Sequence, residues 1–226
     1  MRLDKFISNH SLLSRKEVKS AVKSKRIVIN SDYALKPDCQ INEATDKIYL
    51  DNSLIDYRKY TYILLNKPAG YVSANKDELN KSVFELIDDY TKNLSCVGRL
   101  DKDTEGLLLI TDDGILSHDL LSPKNHVAKK YYVEALNDLS DLDVELLESG
   151  KITLDNKLLK PAKVELISKE AFNLIISEGK YHQVKRMLEA CNNEVVYLKR
   201  IAMGKLLLPA DLAIGKYIYL EKEEII

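Results

Sequence analysis

Residues Gly98 to Gly114 read GRLDKDTEGLLLITDDG. The side chain there best suited to chemistry is the carboxylate of Asp101, with Arg99 and Lys102 close on either side. A polar turn holds it, and an apolar run from Leu107 to Ile110 with the character of a buried strand follows. A loop over the edge of a buried sheet is a common place to hold a reactive group on a rigid base. The same letters also describe a surface turn whose Asp, Lys and Glu are simply solvated, and spacing alone leaves both readings open.

Two further stretches carry chemistry-capable residues. EGKYHQVKRM, residues 178–187, turns into a helix whose Val184, Met187, Leu188 and Cys191 share one apolar face. Lys185 and Arg186 then stand near the helix start, where a cation opposes the helix dipole. An anion close by would explain them. PKNHVAKKYYV, residues 123–133, has cations without acids and then aromatics in a strand pattern. Cations meeting phosphate and rings meeting bases would suit nucleic acid. A strand with core tyrosines is the other reading, and one Tyr of the pair belongs to the core on either.

The elements that must position these residues follow from pattern. The chain has 226 residues, 45% hydrophobic and 31% charged, enough for one large domain or a medium one plus a small one. Net charge is −1, yet residues 1–26 carry +6 and the remainder −7. A basic end on a mildly acidic body points to an anionic partner held by that end, or to a solvated helical surface. Cys39, Cys96 and Cys191 are isolated, and the four histidines show no metal-ligand spacing. No metal site is therefore expected, and the thiols suit a reducing compartment. No signal-peptide pattern and no apolar run of about 18 residues occur, so no membrane span is expected, and a cytoplasmic location follows.

Leu3, Phe6 and Ile7 form one face of a short helix over Arg2–Asn9. Ser14-Arg15-Lys16-Glu17 reads as a capping box that opens a second helix to about Ser24. Arg26 leads a short strand. Residues 52–59 are polar and mixed, as in a linker. Tyr60–Leu65 reads as a strand ended by the Asn66-Lys67-Pro68-Ala69-Gly70 breaker. Ser82 to Glu85 is another capping box, opening a helix to about Asp89. Short helices are predicted at Ile115–Leu121 and Leu139–Gly150, and a hairpin pairs Ala162–Ser168 with Phe172–Ser177. Strands at Val195–Arg200, Lys205–Leu208 and Tyr217–Leu220 complete the chain.

The first 50 residues resemble an S4 RNA-binding domain, through Arg2-Leu3-Asp4-Lys5-Phe6, Ser14-Arg15-Lys16-Glu17-Val18 and Val28-Ile29-Asn30 with Pro37 beyond. The resemblance implies that the second helix meets an RNA backbone, with Arg2, Arg15, Lys16, Lys19, Lys23 and Arg26 as candidate contacts. The family often has Gly after that helix. Here Lys25 stands there, and since a left-handed Lys costs about 1 kcal/mol the helix is expected to end differently.

Taken together and in order, GRLDKDTEGLLLITDDG, the AKKYYV run, EGKYHQVKRM and the NKPAG turn resemble pseudouridine synthases of the RsuA type, bacterial enzymes of the small ribosomal subunit. The likeness spans nearly the whole chain. It implies an α+β protein: an S4-like domain at 1–51, a linker at 52–59, and a catalytic domain at 60–226. That domain would have a mixed, largely antiparallel sheet flanked by helices, with the active cleft across its middle. Residue by residue, Asp101 matches the catalytic aspartate, Tyr131 the family tyrosine and Lys185 the basic residue of the His-Gln-Val-Lys/Arg motif. Arg99, Lys129, His182 and Arg186 join the RNA contacts. Many relatives carry Arg where Lys185 stands, and Lys keeps the charge without the bidentate fork.

The implied reaction breaks the N1–C1′ bond of a uridine, turns the base and rejoins it through C5. It needs no cofactor, and none is expected. An ionised Asp101 would attack or stabilise the positive sugar carbon. A cation lowers a carboxylate pKa, the part given to Lys185. The base must be flipped out of its stack to react, and Tyr131 would stack on it. The implied partner is 16S rRNA, at uridine 516, or a small-subunit assembly intermediate. The chain is expected to act as a monomer. A large-subunit (23S) enzyme and a non-catalytic S4-type assembly factor remain as alternatives.

Overall fold

The computed structural model of the protein describes residues 1–55, 57–88, 93–122, 124–125 and 127–226. Two compact units emerge: Met1–Thr61 with Asp88–Leu94, and Tyr62–Ile87 with Ser95–Ile226. The expected helix end at Asp89, and Pro123 and His126 of the basic run, lie outside the described residues.

In the small unit, α1 (Leu3–Asn9) and α2 (Arg15–Lys23) precede β1 (Ile27–Ile29), β2 (Asp32–Tyr33), β3 (Ile48–Leu50) and β4 (Ser53–Leu54). The strands form an antiparallel sheet in the order β2-β1-β3-β4. The Ser14 capping box forms as expected: Ser14 Oγ accepts the Glu17 N–H at 3.3 Å, and a Glu17 carboxylate oxygen accepts the Ser14 N–H at 2.7 Å. Leu3, Phe6, Ile7, Val18, Ala21, Val22, Ile27 and Ile48 share one core. Lys25 takes the left-handed conformation after all (φ 56°), because its N–H still reaches Val22 O at 3.1 Å and the next N–H reaches Ala21 O at 3.0 Å. These bonds offset the local strain. Part of the stretch read as linker is structure: Asp51 and Asn52 have positive φ, as a two-residue hairpin turn requires, and β4 folds back on β3. Ile55 and Tyr57 pack on the small core, and Tyr57 donates to Glu43 at 2.8 Å.

The large unit holds β5 (Tyr62–Lys67), β6 (Ser95–Val97), β7 (Glu105–Thr111), α3 (Gly114–Leu121), β8 (Lys129–Ala135), α4 (Asp141–Glu148), β9 (Thr153–Leu154), β10 (Lys157–Leu158), β11 (Lys163–Leu166), β12 (Ala171–Ile176), α5 (Gln183–Ala190), β13 (Val195–Met203), β14 (Leu206–Leu207), β15 (Tyr217–Tyr219) and α6 (Lys222–Ile225). Its main sheet runs β11-β12-β8-β13-β7-β5-β15, with β14 on β13 and β6 on β7. The β13–β7 pair is parallel and the other paired strands are antiparallel, so the sheet is mixed and largely antiparallel. Helices α3, α4 and α5 pack on β6, β11 and β13. The Ser82 capping box opens only a 3-10 turn over Val83–Leu86, shorter than the predicted helix. Strands β5 and β7 are buried almost throughout, which is why they read as unbroken apolar runs.

Cys191, expected on the buried face of α5, is only half-buried at the helix end, whereas Val184, Met187 and Leu188 are core. Gly106 has φ 99°, and a Cβ there would lie 2.2 Å from the Arg200 carbonyl oxygen, so only glycine lets β7 approach β13 this closely.

Candidate active site

The loop between β6 and β7 is held from below. Ser73 Oγ donates to Leu100 O at 2.9 Å and accepts the Leu100 N–H at 3.1 Å. The NKPAG segment, legible in sequence only as a breaker, supports the next residues: Gly70 N–H reaches Lys102 O at 2.7 Å. The fully buried Lys67 ammonium donates to Pro68 O, Lys102 O and Thr104 O at 3.0, 3.3 and 2.7 Å. Burial pushes that ammonium down to about 8, against the pull of Asp103, Glu105 and Asp101. The loop that carries Asp101 is thus tied through its backbone while the carboxylates of Asp101 and Asp103 stay accessible.

The Asp101 carboxylate is 29% exposed. His182 Nε2 lies 3.5 Å from one of its oxygens and Lys185 Nζ 3.8 Å from the other. Among the described residues neither oxygen accepts a hydrogen bond. Lys185 was expected to pair with Asp101, but its short contacts go elsewhere. It donates to both Asp103 oxygens at 2.7 Å, and its contact with Asp101 is a longer charge pair. The reason is reach: Asp103 lies two residues on, and its more exposed carboxylate meets the end of the flexible lysine stem directly. Burial works against the charged form of Asp103, but the Lys185 hydrogen bond and charge outweigh it and hold the carboxyl below its usual range.

Tyr131 comes from the neighbouring strands rather than from the loop. It is buried on β8, opposite Arg200 of β13, and Arg200 in turn lies opposite Gly106 of β7. Two strand spacings, about 10 Å, therefore separate Tyr131 from Gly106. Tyr132 is the more exposed of the pair and donates to Glu134 at 2.8 Å. Arg200, which no sequence signal singled out, is 2% exposed; its Nε donates to Leu107 O at 2.8 Å and its Nη2 has no partner among the described residues. Asp103, Lys67 and Arg200 are the residues that sequence reading missed. A clue existed for Asp103, an acid at i+2 in the Asp-Lys-Asp run.

The other expected RNA contacts divide into tied and untied cations. Arg2 donates to both Asp4 oxygens at 3.0 and 2.7 Å, Arg26 to both Asp51 oxygens at 2.7 and 2.6 Å, and Arg186 to both Asp155 oxygens at 3.1 and 2.8 Å. Asp155 sits in the tight β9–β10 turn. Arg15, Lys16, Lys19 and Lys23 are all exposed on α2 and make no ion pair among the described residues, as Arg99 does not. Lys129 is half-buried, with its ammonium pushed down by burial and by Arg200. No His, Cys, Asp or Glu cluster fit for a metal occurs among the described residues, and no described helix is long and apolar enough to cross a membrane.

A lightly bonded carboxylate beside His182 and Lys185, on the loop that leads into β7 of a mixed sheet, is the kind of group that can attack or stabilise an electron-poor carbon. The comparisons agree. The family model for RNA pseudouridylate synthases matches residues 61–190. An uncharacterized RNA pseudouridine synthase of Bacillus subtilis, YtzG, is 42% identical over all of this chain and 97% of its own length. Ribosomal small subunit pseudouridine synthase A of Escherichia coli is 39% identical over all of this chain and 98% of its own. A crystal structure of a pseudouridylate synthase superposes with a TM-score of 0.70 at 36% identity, covering 100% of this chain and 98% of that one. The chain belongs to the RNA pseudouridylate synthase family, and within it to the RsuA type.

Proposed function

We propose that this protein converts a uridine of 16S rRNA, uridine 516 being the position that the resemblance to RsuA-type enzymes implies, to pseudouridine. The observation that carries the reading is the setting of Asp101: His182 Nε2 and Lys185 Nζ stand within 3.8 Å, and no hydrogen bond among the described residues occupies its oxygens. Full-length similarity to small-subunit enzymes supports the substrate class.

The chemistry follows from the parts. As the N1–C1′ bond breaks, positive character grows at C1′, and Asp101 either bonds to that carbon or stabilises it. A carboxylate already saturated with donors would be a poor nucleophile, so its loose surroundings suit the task. Lys185 supplies fixed positive charge beside it, and Asp103 holds the flexible lysine head in place. The buried Tyr131 ring is a surface for the flipped base. The untied cations of α2 bind phosphate in an S4-type mode, giving affinity and register but no sequence reading.

The test incubates purified protein with 16S and 23S transcripts and with assembling small subunits, and maps pseudouridine by carbodiimide primer extension. One new stop in 16S rRNA is expected. A stop confined to 23S rRNA would move the substrate to the large subunit, and no stop in any RNA would sink the reading.

A further inference from the structure

We propose that the outward face of Tyr181, stacked on His182 beside Asp101, is a landing surface for the RNA base that flanks the flipped uridine. The inference rests on the RNA substrate proposed above and adds a second base site to it. The Tyr181 side chain is 75% exposed, yet it is not loose. Its ring lies 3.8 Å, centroid to centroid, from the His182 imidazole, at an interplanar angle of 17°. His182 Nε2 in turn reaches to 3.5 Å from Asp101. The phenol ring is therefore stacked on an imidazole whose Nε2 approaches Asp101, and the phenol itself is exposed to solvent.

The stack is built on a fixed turn. His182 adopts a left-handed backbone (φ 49°, ψ 35°), a conformation costly for a residue with a side chain. Buried Gln183 stabilises it: its Oε1 accepts the Lys180 N–H at 2.8 Å, and its own N–H returns to Lys180 O at 3.2 Å. Arg186 Nη1 donates to the Tyr181 backbone carbonyl at 3.3 Å, a further tie on the turn. A rigid ring loses little freedom when it stacks, and its place next to His182 and Asp101, in a member of an RNA-modifying family, makes a base of the RNA substrate the occupant.

Flipping supplies the need for such a surface. When the target uridine leaves the stack, each neighbouring base loses one stacking face. RNA-binding proteins replace lost base stacking with aromatic rings, to a degree that tolerates any base. Tyr131 is buried on β8 and suits the extruded base itself; Tyr181 faces outward and suits the base next to it.

The test uses full-length protein carrying Asp101→Asn, so that RNA binds without conversion. The probe is the rRNA oligonucleotide that the wild-type protein modifies, with 2-aminopurine immediately 5′ or 3′ of the target uridine. Quenching of one of the two probes is expected, and its loss when Tyr181→Ala is added. With Asp101 intact, Tyr181→Ala should raise KM about 10-fold while kcat changes less than about 2-fold, and Tyr181→Phe should restore both. Unchanged quenching and KM in Tyr181→Ala, with melting like the wild type, would overturn the inference and leave the proposed function standing. Equal losses in Tyr181→Phe would assign the effect to the hydroxyl and overturn stacking. Absence of pseudouridine in any rRNA with the wild-type protein would remove both readings.

Discussion

Asp101 and Asp113 lie at opposite ends of the same strand, β7, and live in opposite conditions. Asp113 is 1% exposed and saturated: it accepts from Tyr62 Oη at 2.9 Å, from Leu116 N–H at 3.1 Å and from Lys222 Nζ at 3.1 Å. Burial works against its charge, but the Leu116 N–H, Lys222 and Tyr62 outweigh it and hold the carboxyl below its ordinary range. It caps α3 and ties α6 to β5 and β7. Asp101 is more open, and His182 Nε2 and Lys185 Nζ stand at 3.5 and 3.8 Å. One carboxylate spends its lone pairs on the fold; the other, on the proposed function, keeps them for a substrate. Both are aspartates with a lysine in reach, and what separates them is burial and the completeness of the hydrogen-bond shell.

That contrast can be broken or sharpened by substitution. Asp101→Asn should lower turnover at least about 1,000-fold in a tritium-release assay, with melting and RNA affinity retained; a variant that keeps its rate would return Asp101 to the solvated-turn reading. Asp113→Ala should do the reverse, costing about 2 to 3 kcal/mol in chemical denaturation with little loss of rate per folded molecule. The pH dependence follows from the sign of the shift. Since the folded pKa of Asp113 is depressed, its contribution is present above the unfolded value of about 4 and is lost as pH falls through the folded value. The gap in melting temperature between wild type and Asp113→Asn should therefore narrow below about pH 4, and a constant gap would show that the charge does not matter.

Lys185→Met should reduce kcat about 100-fold with stability nearly unchanged, read by single-turnover kinetics. An effect mainly on melting would make the Lys185 pair structural, like that of Asp113. The smallest effect is expected for Asp103→Asn. Its side chain is 70% exposed, so stability should move by less than about 0.5 kcal/mol. Turnover should fall about 5-fold, because Lys185 loses a partner that orients it. In a Lys185→Met background the same substitution should change nothing; an effect there would mean that Asp103 acts on RNA directly.

Local rules made much of this legible. The Ser14 and Ser82 capping boxes and the buried run of β7 are properties of short segments and appear where the letters place them, whereas β5 starts two residues later than read and runs on through Asn66 and Lys67 of the expected breaker. The Asp51-Asn52 hairpin escaped because polar residues in a turn look the same as polar residues in a linker, and the backbone conformation that distinguishes them is not written in composition.

The sequence by itself determined the chemistry available: an acid at 101 in a turn before a buried strand, a cation at 185 near a helix start, and motifs in family order. Tertiary structure alone decided who meets whom. Lys185 lies 82 residues from Asp103 and takes it as closest partner, and Arg200 lies 93 residues from the Leu107 carbonyl that it holds. Such pairings depend on distances of a few tenths of an ångström between segments far apart in the chain. They are set by how β7, β13 and α5 pack together, because the energy of a charge or hydrogen bond falls away over less than the length of one side chain.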